Sequence, residues 1–194
     1  MKIRKNCRIC NSKLEKIISF KKISLVGNFF KRKGDNKKFP ISLNFCKKCK
    51  HVQIAEIIDP RTLFSNYLWQ TSVSKTNISI FNELINTYKK RFSKKTKVLE
   101  IACNDGSFLK FLQKKFGCFL IGIDPAKNIY KKRQGVYFIN NFFNYLTGKK
   151  IYKKFGKFNL IFARNVLAHV TDPNEIFKGA RELLSEDGVL IIEV

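Results

Sequence analysis

From Lys97 to the end of the chain, short apolar runs alternate with amphipathic stretches, and this alternation restricts the fold more than any other feature. Val98-Leu99-Glu100-Ile101 reads as a strand, Ser107 to Phe116 as a helix, and Phe119 to Asp124 as a second strand. A short third strand is expected at Val136 to Ile139 and a fourth at Phe158 to Ala163. A helix follows from Asn174 to Leu184, then a fifth strand from Gly188 to Val194. Strands that are apolar on both faces and separated by helices imply an α/β domain, its parallel sheet covered on both sides.

Ligands of such sheets sit beyond the carboxyl ends of the strands. The polar signals of this half fall there: Glu100 to Gly106, Asp124, Asn140-Asn141 and Arg164-Asn165. The first loop, EIACNDGSF from Glu100 to Phe108, has one glycine where a pyrophosphate loop has three. Side chains on Ala102, Cys103, Asn104 and Asp105 block close approach of phosphate, and Asp105 repels it. NAD and FAD are therefore disfavoured. Asp124, at the end of the second strand, has the chemistry to accept both hydroxyls of a ribose. A nucleoside without phosphates and with a cationic centre suits these residues, and S-adenosylmethionine is such a molecule. The competing reading is structural: Asp124-Pro125 merely caps the next helix, and Asn104-Asp105-Gly106 is a plain turn. Cys103 has no neighbouring base in the sequence to make it a nucleophile.

Four of the six cysteines form two Cys-x-x-Cys pairs, Cys7/Cys10 and Cys46/Cys49, separated by 35 residues. Four thiolates supply a closed tetrahedral set that suits structural zinc and leaves no position for substrate. Buried free cysteines or a redox pair are the alternatives. Fewer than about 60 residues rarely stabilise a core alone, so a metal staple is expected in a small β-rich lobe. Lys33 to Asn36 reads as its turn, Phe39-Pro40-Ile41 as entry to a strand, and His51 to Ala55 as a strand leaving the second pair. His51 is read as a neighbour of the metal.

Asp59-Pro60 opens a short helix, with Asp59 as cap. Asn66 to Ser74, NYLWQTSVS, is rich in aromatics and hydroxyls; simple packing is one reading of it. Ile78 to Phe92 is helical in pattern. The 194 residues carry 39 basic and 14 acidic side chains, a net charge of +25. That charge attracts anions of every kind, but the lysines are scattered through the chain, so nucleic acid is not the expected partner. No run of 18 uncharged apolar residues exists and no membrane span is expected; the N-terminus lacks a signal-peptide core. The expected location is cytoplasmic.

The motifs VLEIACNDGSFL, GIDP, FARNVLAHVTDP and GVLIIEV, with CRIC and FCKKCKHVQ before them and LFSNYLWQTSVSKT between, resemble the S-adenosylmethionine-dependent sugar C-methyltransferases. The resemblance covers nearly the whole chain. It implies a zinc-binding domain over 1–66, a joining segment over 67–95 and an incomplete Rossmann-like class I methyltransferase domain over 96–194. It implies Glu100, Ala102, Asn104, Gly106 and Asp124 around the cofactor, and Asn141 and Phe142 near its adenine. It implies Tyr67 at the substrate, a nucleotide-linked keto-sugar in the family, and makes His169 a candidate active-site residue, otherwise a histidine beside the fourth-strand loop. Two positions depart from the family: Ala102 stands where glycine is common, and Gln70 where some members have a histidine. The family continues for a further domain holding a Glu-His pair, so this chain is expected to be a front portion, with the rest on another chain or lost. A non-catalytic S-adenosylmethionine-binding remnant and an RNA methyltransferase are the alternative expectations.

Overall fold

The computed structural model describes residues 1–25, 37–129 and 135–194. The expected turn at 33–36 lies outside the described residues. The chain divides into two compact units: 1–63 with 171–174, and 64–170 with 175–194.

The first unit is built on β1 (Lys2–Ile3), β2 (Glu15–Ser24), β3 (Lys38–Phe45), β4 (Val52–Ile54) and β5 (Glu56–Ile57). β2, β3 and β4 form an antiparallel sheet in that order, and β1 pairs with β5. Directly opposed residues share a face. One face therefore carries Ile18, Phe20 and Ile23 of β2, Phe39, Ile41 and Leu43 of β3, and Ile54 of β4. The other carries Ser42, Asn44 and Gln53. The polar face is the buried one, while Ile18, Phe20, Ile23 and Ile54 are exposed. Hydrogen bonds satisfy most of its groups, although among the described residues the buried Gln53 Nε2 has no partner. The Glu56 carboxylate accepts from Ser42 N and Oγ at 2.9 and 2.8 Å, Asn44 Nδ2 donates to Ser42 Oγ at 2.9 Å, and Gln53 Oε1 accepts from Arg8 N at 2.9 Å.

The second unit is the α/β domain. After the helices α1 (Pro60–Phe64) and α2 (Lys75–Thr87) come β6 (Lys97–Ile101), α3 (Ser107–Phe116), β7 (Phe119–Asp124) and β8 (Val136–Asn140). Then follow α4 (Tyr145–Phe155), β9 (Phe158–Arg164), α5 (Pro173–Leu183) and β10 (Leu184–Glu193). The strands form one parallel sheet in the order β10-β9-β6-β7-β8. Consecutive strands run outward from β6 to β8, and the chain then crosses back to β9 on the other side. The order reverses between β6 and β9, and the crevice at such a switch is where α/β sheets bind ligands. One layer of the core holds Val98, Phe108, Leu109, Leu112, Leu120, Leu160 and Phe162; the opposite layer holds Leu99, Ile101, Ile121, Ile123, Ile161, Ile176 and Leu183. Burial on both faces is why these strands read as continuous apolar runs.

α4 is an element that the apolar pattern alone does not announce. Its lysines and its mid-helix Gly148 mask it, but Asn144 and Thr147 form a capping box at its start. Gly148 has a packing reason: a Cβ there would lie 3.0 Å from Gly179 Cα in α5, so the two helices cross at paired glycines. β10 begins earlier than its apolar run, with Leu184 opposite Phe158 and a register shift before Val189 resumes opposite Leu160.

Gly122, in the middle of β7, has no room for a methyl: a Cβ would stand 2.5 Å from Cys103 Sγ and 2.9 Å from Leu109 Cδ1. Gly122→Ala is expected to lower unfolding free energy by roughly 1–3 kcal/mol through overpacking, read as a lower urea midpoint with an unchanged slope.

Candidate functional site

At the carboxyl end of β6 the backbone leaves the sheet through a tight turn. Ala102 and Asn104 both have φ of 53° and Gly106 has φ of 71°. Asn tolerates the left-handed region because its short side chain bonds locally. Gly106 is required twice over, since a Cβ would meet the Phe138 ring at 2.3 Å.

Asp124, at the end of β7, holds this turn. Its Oδ2 accepts from Asn104 N and its Oδ1 from Ala126 N, both at 2.8 Å. The plain-capping reading of Asp124 is thus partly right, since it does cap Ala126, but its other oxygen fastens the β6 loop. A carboxylate has about four lone-pair sites, so both oxygens keep acceptor capacity. Burial raises the Asp124 carboxyl above its ordinary range, against the two N–H donors that lower it. Asp105 is buried as well. Burial pushes its carboxyl up, but Ser107 and Ser72 donate to it and the net shift is downward.

Glu100 is 1% exposed. Its Oε1 accepts from Arg164 Nη2 at 2.7 Å and Nε at 3.1 Å, while its buried Oε2 has no hydrogen-bond partner among the described residues. The Arg164 guanidinium lies 4.4 Å from the Phe108 ring centre and 4.8 Å from that of Phe81. Burial raises Glu100 to about 7, opposed by Arg164 and reinforced by the charges of Asp124 and Asp105. Glu100 thus feels the charges of two further acidic side chains at the strand ends of a chain whose net charge is +25. Arg164 is a site residue whose role the sequence does not reveal; only its position at a strand end marks it. Cys103 is buried, and burial followed by the Glu100 and Asp124 charges pushes its thiol well up, so it stays protonated.

Asn141 follows β8, exposed, and its Oδ1 accepts from Phe142 N at 2.8 Å. Tyr67 and His169 both pack against one ring: Phe64 lies 6.0 Å from Tyr67 and 6.1 Å from His169, centre to centre. His169 is exposed in a 3-10 turn, Leu167–His169.

In the first unit, the sulfurs of Cys7, Cys10, Cys46 and Cys49 lie within 4.8 Å of one another. Cys7–Cys49 and Cys10–Cys46 sulfurs are 3.6 and 3.4 Å apart, close to the edge of about 3.8 Å of a tetrahedron with the 2.3 Å zinc–sulfur bond. The two turns share one construction. Asn11 N donates to Cys7 O and Lys50 N to Cys46 O, and Asn11 and Lys50 both have positive φ. Hydrogen bonds from Ser12 lower the Cys10 thiol to about 6. Cys49 is lowered by His51 N–H, but burial and the other three sulfurs outweigh this and push it up to about 12. Four such sulfurs cannot all ionise without a cation. The donor set therefore fits zinc.

Residues 74–194 match the family described as a methyltransferase domain, and the chain belongs to that family. Residues 7–64 match the family described as "Putative zinc binding domain". Among individual proteins, the chain is similar to the C-methyltransferase NovU of Streptomyces niveus, with 28% identity over 97% of this chain and 46% of that protein. It is also similar to the tRNA U34 carboxymethyltransferase of Sulfurimonas denitrificans, with 30% identity over 56% of this chain and 38% of that one. The chain spans less than half the length of these curated relatives. A solved structure described as a "putative sarcosine dimethylglycine methyltransferase" from Galdieria sulphuraria shares the fold, with a TM-score of 0.51 at 15% identity over 64% of this chain and 52% of that one. Among the described residues no helix is long and apolar enough to cross a membrane.

The raised Glu100 carboxyl makes stability depend on pH. The folded chain holds this proton to about 7 and the unfolded chain only to about 4.5. Between those values the unfolded state binds fewer protons, so the contribution is full below 4.5 and is lost as pH rises through 7. The urea midpoint of the parent chain is expected to fall between pH 4.5 and 7, and Glu100→Gln to flatten that fall.

Proposed function

We propose that this chain binds S-adenosylmethionine at the carboxyl ends of β6, β7 and β8 and serves methyl transfer to carbon on a small carbonyl compound, a nucleotide-linked keto-sugar. The observation that carries the reading is the Asp124 carboxylate at the carboxyl end of β7, next to the switch-point strand β6, held by two backbone N–H groups with acceptor capacity remaining on both oxygens. In this reading Asp124 takes the ribose hydroxyls. Ala102, Asn104 and Gly106 form the turn against the cofactor, Glu100 adds negative potential beneath it, and Asn141 and Phe142 border the adenine. The acidic cluster suits a cofactor with ammonium and sulfonium charges and no phosphate. When bound, the cofactor supplies an electrophilic methyl group. The carbon reading is supported by the name of the Streptomyces relative, and a net charge of +25 suits an anionic nucleotide-sugar.

Carbon methylation beside a ketone requires removal of a proton and stabilisation of the enolate oxygen. We assign the oxygen to the Tyr67 hydroxyl as hydrogen-bond donor. His169 is the candidate base: it is one of two histidines in the chain, and its ring, like that of Tyr67, packs against Phe64. Zinc in the first unit is structural in this reading, its four thiolates leaving no open position.

Isothermal calorimetry with S-adenosylhomocysteine tests the cofactor assignment. One saturable site is expected, and Asp124→Ala should weaken it by about ten- to a hundredfold, the worth of hydrogen bonds to a charged acceptor. A folded sample giving no heat at millimolar ligand would sink the assignment. For the metal, elemental analysis is expected to return one zinc per chain, and Cys46→Ser to lose it while the second unit keeps its own thermal transition.

A further inference from the structure

The stretch from Ser65 to Val73 holds its backbone by an unusual means. Apart from a 3-10 turn at Thr71–Val73 it has no regular structure, and its large side chains are not its anchor: Leu68, Trp69 and Val73 are 62%, 55% and 65% exposed. Two asparagine side chains hold it instead. Asn128 Oδ1 accepts from Tyr67 N and Asn128 Nδ2 donates to Tyr67 O, both at 2.8 Å. Asn104 Oδ1 accepts from Thr71 N at 2.9 Å and Asn104 Nδ2 donates to Trp69 O at 3.0 Å. Each amide thus does for the segment what a neighbouring strand would do, offering one donor and one acceptor side by side. Ser72 N to Asp105 Oδ2 at 3.2 Å and Lys127 N to Ser65 O at 2.9 Å complete the attachment.

Both clamps stand on the loops proposed to receive the cofactor. Asn104 lies in the β6–α3 turn and Asn128 four residues beyond Asp124, whose Oδ2 accepts from Asn104 N. We propose that Asn104 and Asn128 are positioning residues that clamp the 65–73 segment to the two cofactor loops, so that filling those loops sets the place of Tyr67. This rests on the cofactor reading above and deepens it. Because coupling between sites is reciprocal, the segment that carries the substrate-side tyrosine also tightens the cofactor site. The chemistry explains why both positions are asparagine. Aspartate has the shape but no donor, and would set an anionic oxygen against a carbonyl oxygen of Tyr67 or Trp69.

The chain has a single tryptophan, Trp69, and it lies within the clamped segment. Its fluorescence therefore reports this segment alone. Acrylamide is the suitable quencher, since it is neutral in a chain of net charge +25. Asn128 is exposed, so Asn128→Asp and Asn128→Ala are expected to keep the parent melting temperature. Freed of two hydrogen bonds, the segment should open locally, and the quenching constant of Trp69 should rise roughly twofold. Asn104→Gly, which accepts the left-handed backbone without strain, is expected to do the same. In the parent chain, S-adenosylhomocysteine should lower the quenching constant in step with the calorimetric isotherm, and in Asn128→Asp that response should fall by at least about half. Quenching constants equal to the parent's in all three ligand-free variants would overturn the clamp. Calorimetric saturation with no change in parent quenching would overturn its coupling to the cofactor. An absence of heat would count against the cofactor reading, and the ligand-free comparison would still decide the clamp.

Discussion

The bond from Asn104 N to the Asp124 carboxylate is the constraint on which the rest of the site depends. It crosses from the end of β6 to the end of β7 and fixes a turn in which Ala102, Asn104 and Gly106 all take left-handed backbone. A non-glycine residue in that region costs energy, and two nearly adjacent ones persist only where surrounding bonds outweigh the cost. Here the bonds are supplied from three sides: Asp124 on the backbone of Asn104, the 65–73 segment on its side chain, and Ser107 on Asp105. The strain therefore belongs to the structure that shapes the loop. It explains why one glycine is enough where a phosphate loop has several.

Charge at this site runs opposite to charge in the chain. A net +25 would be expected to surround any cleft with lysine, yet Glu100, Asp105 and Asp124 gather at the strand ends, and the charges of the two aspartates raise the cost of ionising Glu100. Arg164 is the cation that makes the cluster tolerable. It is itself tolerable there because its planar guanidinium lies against Phe108 and Phe81. Removing either member of the Glu100–Arg164 pair leaves a buried charge without its partner, a costlier state than replacing both.

The five strands and the loop at Glu100 to Gly106 were legible in the sequence because parallel strands buried on both faces leave unbroken apolar runs, with polar residues only at their ends. The cysteine quartet was legible because ligand spacing is a local property. α4 was less so: lysines and a glycine dilute its period, and the reason for Gly148 is a contact with Gly179, thirty-one positions away in sequence. Arg164 could be placed at a strand end but not paired, because its partner Glu100 lies on another strand. Asn128 gave no signal at all. An asparagine after a strand reads as an ordinary turn residue, and only the fold shows that its amide meets Tyr67.

The antiparallel sheet of the first unit shows the sharper limit of pattern reading. Alternation along β3 says correctly that Phe39, Ile41 and Leu43 share one face, but it does not say which face is inside. Hydrophobic burial alone would turn them inward. The opposite face is inward because it is where hydrogen bonds are available: Ser42 meets the Glu56 carboxylate and Gln53 meets the backbone beside Cys7. Burying a polar face costs little where most of its groups find partners. A lobe fastened by four cysteines depends less on apolar burial for its stability than an ordinary domain of its size. That frees the sheet to turn its polar side in, and leaves Ile18, Phe20, Ile23 and Ile54 facing outward.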